Sequence, residues 1–237
     1  MKEGIIIKEF YKTDTCQLYQ GDCLEVMKNI DDESVDIIIT DPPYLINYSR
    51  HDKNSRFSKP IKNDDNPQLI KDYIKECYRI MKNNTAMYIF TNYKTVDFFK
   101  QELEYANFNV KNILIWDKER NGMGDLSTTF GYSYEFIFFV SKGQPKIRGK
   151  RIPDVWRFKR VSSKNQVHQN QKPVELLEQC IEKSSDEGNI VFDGFMGSGS
   201  TGVACMNTNR KFIGIELENT YCGIAKDRIQ YIDTNIA

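Results

Sequence analysis

Val35-Asp36-Ile37-Ile38-Ile39-Thr40-Asp41-Pro42-Pro43-Tyr44 is the stretch that decides how this chain is built. A β-branched apolar run of this length reads as a buried parallel strand. Two successive prolines then remove backbone donors and stop the strand. Asp41 to Tyr44 form a stiff turn carrying a carboxylate, two proline carbonyls and an aromatic ring. It stands at the carboxyl end of a strand, the edge where open α/β sheets bind ligands. Such a turn suits a flat, amine-bearing ring, with Asp41 and the Pro42 carbonyl as acceptors and Tyr44 as a stacking face. A strand-ending Pro-Pro turn with a surface tyrosine is the plainer alternative.

A second anchor lies near the other end, in Ile190-Val191-Phe192-Asp193-Gly194-Phe195-Met196-Gly197-Ser198-Gly199-Ser200-Thr201. It reads as a strand, a glycine-rich turn and a helix start, with Glu216 ending the next strand. This is the pattern of a nucleoside-binding βαβ unit, in which glycines allow close backbone approach and the acid accepts from ribose hydroxyls. Two ligands suit it. A dinucleotide needs its pyrophosphate at the helix N-terminus. S-adenosylmethionine has no phosphate, and its ammonium gives an acid such as Asp193 something to hold. Chain order favours the second, because a dinucleotide fold normally begins with this unit and here it comes near the end.

Between and around these anchors, apolar periodicity predicts strands at Thr15–Gln20, Thr85–Phe90, Asn109–Trp116, Tyr132–Val140, Asn189–Phe192 and Lys211–Leu217. Helices are expected after Asp22, from Pro67 through Met81, over 93–105, from Pro173 through Ile181, at Thr201–Met206 and at Thr220–Ile229. The Asn109 and Tyr132 runs are expected to pair antiparallel. Alternating strands and helices make the fold α/β, with a mainly parallel, doubly wound sheet, an antiparallel edge and a single domain over 1–237. The last two strands are expected at the sheet's edge and centre. Leu45–Asn66 is a long polar loop, and its part from Asn47 to Lys62 is expected to close over the substrate.

The chain has 237 residues, 40% of them hydrophobic, enough for one large core. No apolar stretch approaches membrane-spanning length and no signal sequence opens the chain, so a cytoplasmic protein is expected. Its six cysteines form no Cys-x-x-Cys pair and fall mostly in periodic apolar segments, which suits reduced core thiols. With only two histidines, far apart, no metal site is expected. Net charge is +0, yet Lys142 to Lys164 holds a basic run against a single acid, Asp154. Arg148, Lys150, Arg151, Arg157, Lys159 and Arg160, interleaved with Trp156 and Phe158, suit phosphates and bases. A solvated charged loop is the alternative.

Three blocks in order carry a resemblance over nearly the whole chain. They are Gly21-Asp22 with Ser34 to Tyr44, His168-Gln169-Asn170-Gln171-Lys172-Pro173-Val174-Glu175-Leu176-Leu177, and Asp193 to Thr201. Together they resemble the amino-group DNA methyltransferases whose catalytic and cofactor motifs stand in permuted (β) order. Gly194 departs from the pattern, where the family often has proline. The segment from Val140 to His168, about 142–167 as an insertion, is shorter than the target-recognition region of larger members.

The resemblance implies a Rossmann-like methyltransferase sheet with S-adenosylmethionine as cofactor. It places Asp41, Pro42, Pro43 and Tyr44 at the target base and Phe195 against the cofactor. Asp193 falls near the methionine end with Gly197, Ser198 and Gly199, Glu216 on the ribose, Asp22 near the adenine, and Lys172 near the methionine carboxylate. Asp22 as a mere helix cap, Lys172-Pro173 as a helix entry and His168 on a solvated loop are the alternatives. Aspartate at the first motif position resembles adenine-specific members, with cytosine N4 as the other reading. No proline is followed by cysteine, which separates the chain from cytosine carbon-5 enzymes. Double-stranded DNA is the expected partner, with a cognate restriction endonuclease and a homodimer expected from the family alone. A dinucleotide oxidoreductase, an RNA or protein-glutamine methyltransferase and a non-catalytic nucleic-acid binder are the rivals.

Overall fold

Strand Val35–Thr40 (β3) is buried along its length except at Asp36, as its apolar run requires. A computed structural model describes residues 8–46, 62–119, 127–128, 130–162, 164–168 and 170–236. Around β3 stand β1 (Lys8–Lys12), β2 (Cys16–Gln20), β4 (Met81–Thr91), β5 (Asn109–Asp117), β6 (Tyr134–Lys142), β7 (Val155–Arg157), β8 (Ile190–Asp193) and β9 (Lys211–Glu216). They form one 9-stranded sheet in the order β1-β2-β9-β8-β3-β4-β6-β5-β7. From β2 through β4 all neighbours are parallel, while β1 opposes β2 at one edge and β6 runs against both β4 and β5. The expected antiparallel pairing of β5 with β6 holds.

Side chains alternate from Ile37 to Ile39, and a register irregularity between Val35 and Ile37 brings Val35 onto the face of Ile38, so β3 divides the core. Val35 and Ile38 face helices α1 (Cys23–Met27), α2 (Pro67–Ile80) and α3 (Val96–Tyr105). Ile37 and Ile39 face α4 (Val174–Ser184), α5 (Ser200–Asn207) and α6 (Asn219–Ile236). The sheet is thus covered on both faces. Helix α2 starts where its sequence says, with Pro67 in the first turn and Asn66 Oδ1 accepting from Leu69 N at 3.1 Å. Leu69, Ile70, Tyr73, Ile74, Cys77 and Ile80 form its buried stripe.

Two expectations about the sheet need correction. β9 is not an edge strand, because β2 pairs with it and β1 lies beyond. Neither β1 nor β7 is among the strands that apolar periodicity predicts. β7 is only three residues long and sits inside the basic segment, where it pairs parallel with β5 through Trp116↔Trp156. All six cysteines are free and buried, as expected of core thiols. Among the described residues, no helix is long and apolar enough to cross a membrane.

Candidate active site

β3 and β8 are parallel neighbours, registered through Ile37↔Val191 and Ile38↔Phe192. Their carboxyl ends therefore open side by side, and the turns beyond them face a common cleft of about 1110 Å³. Asp41 to Tyr44, Asp22, Lys172, Asp193, Phe195, Gly197, Ser198 and Glu216 all line it. That volume exceeds the ~300–1,000 Å³ of ordinary small-ligand pockets, so it has room for a cofactor and a second ring together.

In the Asp41–Tyr44 corner Pro42 and Pro43 are buried, while Asp41 and Tyr44 are half-buried. Leu45, directly after, has φ +59°, a left-handed conformation that a leucine holds only where its surroundings dictate it. The Tyr44 hydroxyl donates to Asp41 Oδ1, and Lys172 Nζ donates to Asp41 Oδ2 at 2.5 Å. Lys172 Nζ also lies 3.3 Å from Glu135 Oε2, and Lys118 Nζ holds Glu135 Oε1 at 2.6 Å. Glu135 is near the start of β6, and because β6 runs backwards its amino end lies on the same rim as the carboxyl ends of its neighbours.

Two acids and two lysines thus make a compact cluster. Burial pushes the Asp41 carboxyl up, Lys172 opposes this, Glu135 adds to it, and the net direction is upward. Burial also acts on Glu135, but Lys172 and Lys118 together outweigh it and hold that carboxyl below its ordinary range. Burial works against the Lys172 ammonium, yet Asp41 and Glu135 keep it above its usual value. The family resemblance puts Lys172 beside a cofactor carboxylate; in the structure its ammonium sits on Asp41 and Glu135. Nothing in the sequence points to Glu135 or Lys118, since a lone acid inside a strand and a lysine just past the end of another give no local signal.

The glycine turn is held from behind. Asp193 accepts from Phe195 N at 3.1 Å and from the Thr201 hydroxyl at 2.7 Å, and burial pushes its carboxyl up to about 7. Gly199 has φ +77° and lies against α6, where an added Cβ would meet Ala225 Cβ at 2.7 Å. Gly194 N donates to the Tyr73 hydroxyl at 3.3 Å, so this position needs both its N–H and its missing side chain. Proline would supply neither, which gives the departure from the family pattern a local cause. The Tyr73 hydroxyl also bonds Thr40 Oγ1 at 2.8 Å, and its ring meets Phe195 edge-on at 4.7 Å.

Glu216 accepts from Gly197 N at 3.0 Å and from Glu218 N at 2.8 Å, one backbone donor on each oxygen. Each carboxylate oxygen has a second lone pair, so hydroxyl groups in the cleft still find acceptors there. With Asp193 and Glu216 both lining it, this half of the cleft repels a pyrophosphate and fits a ligand bearing an ammonium and ribose hydroxyls. Asp22 lines the cleft and also caps α1, accepting from Leu24 N at 2.9 Å and Glu25 N at 3.3 Å. Glu25 turns instead to Lys28, so the capping box is half made. His168 is not simply solvated: it packs edge-on against Tyr221 at 4.4 Å, and burial followed by Lys172 lowers its pKa to about 4.

The basic segment divides in two. Arg148 is clamped to Asp186 by two bonds of 2.6 Å, and Lys183 Nζ holds the Lys150 carbonyl at 2.8 Å. Asp186 precedes β8, so this group lies toward the sheet's amino-terminal rim, away from the cleft. β7 then carries the chain across to the other rim, where Arg157, Lys159 and Arg160 are exposed and Arg160 lines the cleft. Arg151 lines a separate groove of about 440 Å³ with Trp156 and Lys183. Trp156, expected among the nucleic-acid contacts, is 6% exposed and its Nε1 donates to the Pro153 carbonyl. Phe158 packs against the same core. The aromatic side chains of this stretch serve the sheet, and of its charges Arg160 lines the cleft while Arg157 pairs with Asp117 at 3.5 Å beside it. Of the loop 47–62, only Lys62 falls within the described residues, and it pairs with Glu218 across the cleft mouth.

A family profile described as "DNA methylase" matches residues 35–227. The chain belongs to the DNA methylase family. YubD of Escherichia coli (strain K12) is 34% identical over 212 residues, covering 89% of this chain and 88% of that one. The type II methyltransferase M2.MboI of Moraxella bovis is 29% identical, covering 95% and 92%. The crystal structure of an M1.HpyAVI–SAM complex superposes with a TM-score of 0.71 at 29% identity, over 90% of this chain and 98% of that one. Both anchors of the sequence fall within the matched residues, and the second half of the basic segment lies between them.

Proposed function

We propose that the protein transfers a methyl group from S-adenosylmethionine to the exocyclic N6 amine of adenine in DNA. The observation that carries this reading is the shared cleft: the Asp41–Tyr44 corner and the Asp193–Gly199 turn open together because β3 and β8 are neighbours. S-adenosylmethionine supplies a methyl group on a sulfonium, which needs only a well-aimed nucleophile. An exocyclic amine is a poor one, because its lone pair is delocalised into the ring. Asp41 and the Pro42 carbonyl accept its two hydrogens, localise the lone pair and aim it. Positioning and fixed dipoles then supply the acceleration, and no covalent enzyme nucleophile takes part. The amine is out of reach in a stacked duplex, so the base is extruded into the cleft with Tyr44 against one face.

Asp193, with Gly197, Ser198 and Gly199 around it, holds the methionine end of the cofactor, Phe195 packs on it, Glu216 takes the ribose hydroxyls and Asp22 faces its adenine. Arg157, Lys159 and Arg160 contact the phosphates of the duplex beside the cleft. A cognate restriction endonuclease, whose cutting such methylation would block, is proposed as a partner on the family alone. Aspartate at the first motif position favours adenine over cytosine as the methylated base. Incubating the protein with unmethylated DNA and S-adenosylmethionine, then digesting to nucleosides for mass spectrometry, tests it. N6-methyldeoxyadenosine is expected; N4-methyldeoxycytidine alone would overturn the choice of base, and no methylated nucleoside would overturn the activity.

A further inference from the structure

We propose that Glu135 is a positioning residue that receives Lys172 and the Tyr44 hydroxyl when Asp41 turns to the substrate amine. The inference rests on the reading of Asp41 as the amine acceptor. As the structure stands, both oxygens of Asp41 are engaged from within the protein, Oδ1 by the Tyr44 hydroxyl and Oδ2 by the Lys172 ammonium. An amine entering the cleft brings one hydrogen to this carboxylate, and turning an oxygen toward it loosens the hold of both donors. An ammonium loosened in a largely buried pocket needs another anion at once.

Glu135 Oε2 is that anion. It lies 3.3 Å from Lys172 Nζ and 3.3 Å from the Tyr44 hydroxyl, so both donors change partner by a small rotation. Lys118 holds the other oxygen at 2.6 Å and keeps the carboxylate in place while this happens. No proton changes owner; only hydrogen bonds are exchanged. Lys172 is 8% and Glu135 17% exposed, so water is a poor substitute for either partner.

The charged and titratable groups facing Asp41 are Lys172 from the loop before α4, Tyr44 from its own turn, Glu135 from β6 with Lys118 behind it, and Asp193 from β8, while His168 faces Lys172. Glu135 raises the Asp41 carboxyl. Removing its charge must then move the acidic limb of turnover, where Asp41 becomes protonated, to lower pH. Loss of packing alone would not do this.

The test uses the full chain, labelled S-adenosylmethionine and unmethylated DNA. Glu135→Gln is expected to lower kcat by roughly ten- to a hundredfold. KM for DNA and Kd for S-adenosylmethionine should stay in place, and the acidic limb should move down in pH. Unchanged kcat, or an unmoved limb, would overturn the inference. Asp41→Ala is measured beside it. If it is inactive while Glu135→Gln behaves as the parent, this inference fails and the proposed function stands; if Asp41→Ala turns over normally, the proposed function itself fails. Should Glu135→Gln lose cofactor binding, Glu135→Asp carries the test. It keeps the charge but withdraws the oxygen, so a lowered kcat with an unmoved limb supports the inference, and an unchanged kcat overturns it.

Discussion

Tyr73 and Gly194 are joined across 121 residues of sequence by a hydrogen bond from the glycine N–H to the tyrosine hydroxyl. A Cβ added at Gly194 would meet the Tyr73 ring at 2.5 Å and its hydroxyl at 2.7 Å. Tyr73 is fully buried and bonded to Thr40, so it has nowhere to go. Gly194→Ala is therefore expected to cost about 1–3 kcal/mol of stability through overpacking. It should also weaken S-adenosylmethionine binding by displacing the turn. Thermal unfolding and calorimetric titration of the cofactor check both halves.

Asp193 titrates near 7 because burial raises its carboxyl from an ordinary value of 3.8. Between those two values the folded chain holds a proton that the unfolded chain has lost, so this group's contribution to stability falls as pH rises through the window and is level above it. A bound ammonium favours the ionised form. Cofactor binding at about pH 6 should then release a proton, seen as a dependence of the binding heat on buffer ionisation enthalpy. Asp193→Asn should abolish that dependence.

Lys172 neutralises two carboxylates that are mostly shielded from water. Lys172→Met removes the partner and leaves both acids in place, a change that costs about 3–5 kcal/mol where a buried pair is broken. Without the lysine both acids bind protons more tightly in the folded state, so the loss should be greatest near neutrality and shrink as pH falls. Denaturant unfolding at pH 7 and at pH 5 measures the difference, and an equal loss at both values would contradict it.

Arg157, Lys159 and Arg160 lie toward the cleft rim, and Arg148, Lys150 and Arg151 lie away from it. Neutralising the first three together should weaken DNA binding and reduce the salt slope by about 0.9 for each phosphate contact removed. Neutralising the second three should leave the slope unchanged. Fluorescence anisotropy across a salt series distinguishes the two sets.

The two anchors could be read from sequence because each is local: a buried strand, then a turn whose chemistry is written in consecutive residues. Asp41–Tyr44 and Asp193–Glu216 needed only strand order to be joined. Glu135, Lys118 and Tyr73 belong to the same site through tertiary contact, and nothing beside them in the chain announces it. β1, with the sequence Lys8-Glu9-Phe10-Tyr11-Lys12, escapes because an edge strand needs no apolar run. Trp156 misleads for a different reason. Val155 and Arg157 are exposed on either side of it, and that alternation marks a short strand with its middle residue turned inward. The density of charge around it masks the period.

Pairing β3 with β8 also has a cost during synthesis. Until residues 190–193 leave the ribosome, one side of the buried central strand β3 has no ladder partner. Such an edge invites pairing with other chains. Slow translation of the second half should therefore lower the yield of soluble protein more than slow translation of the first, and a chaperone that shields bare strand edges should restore it.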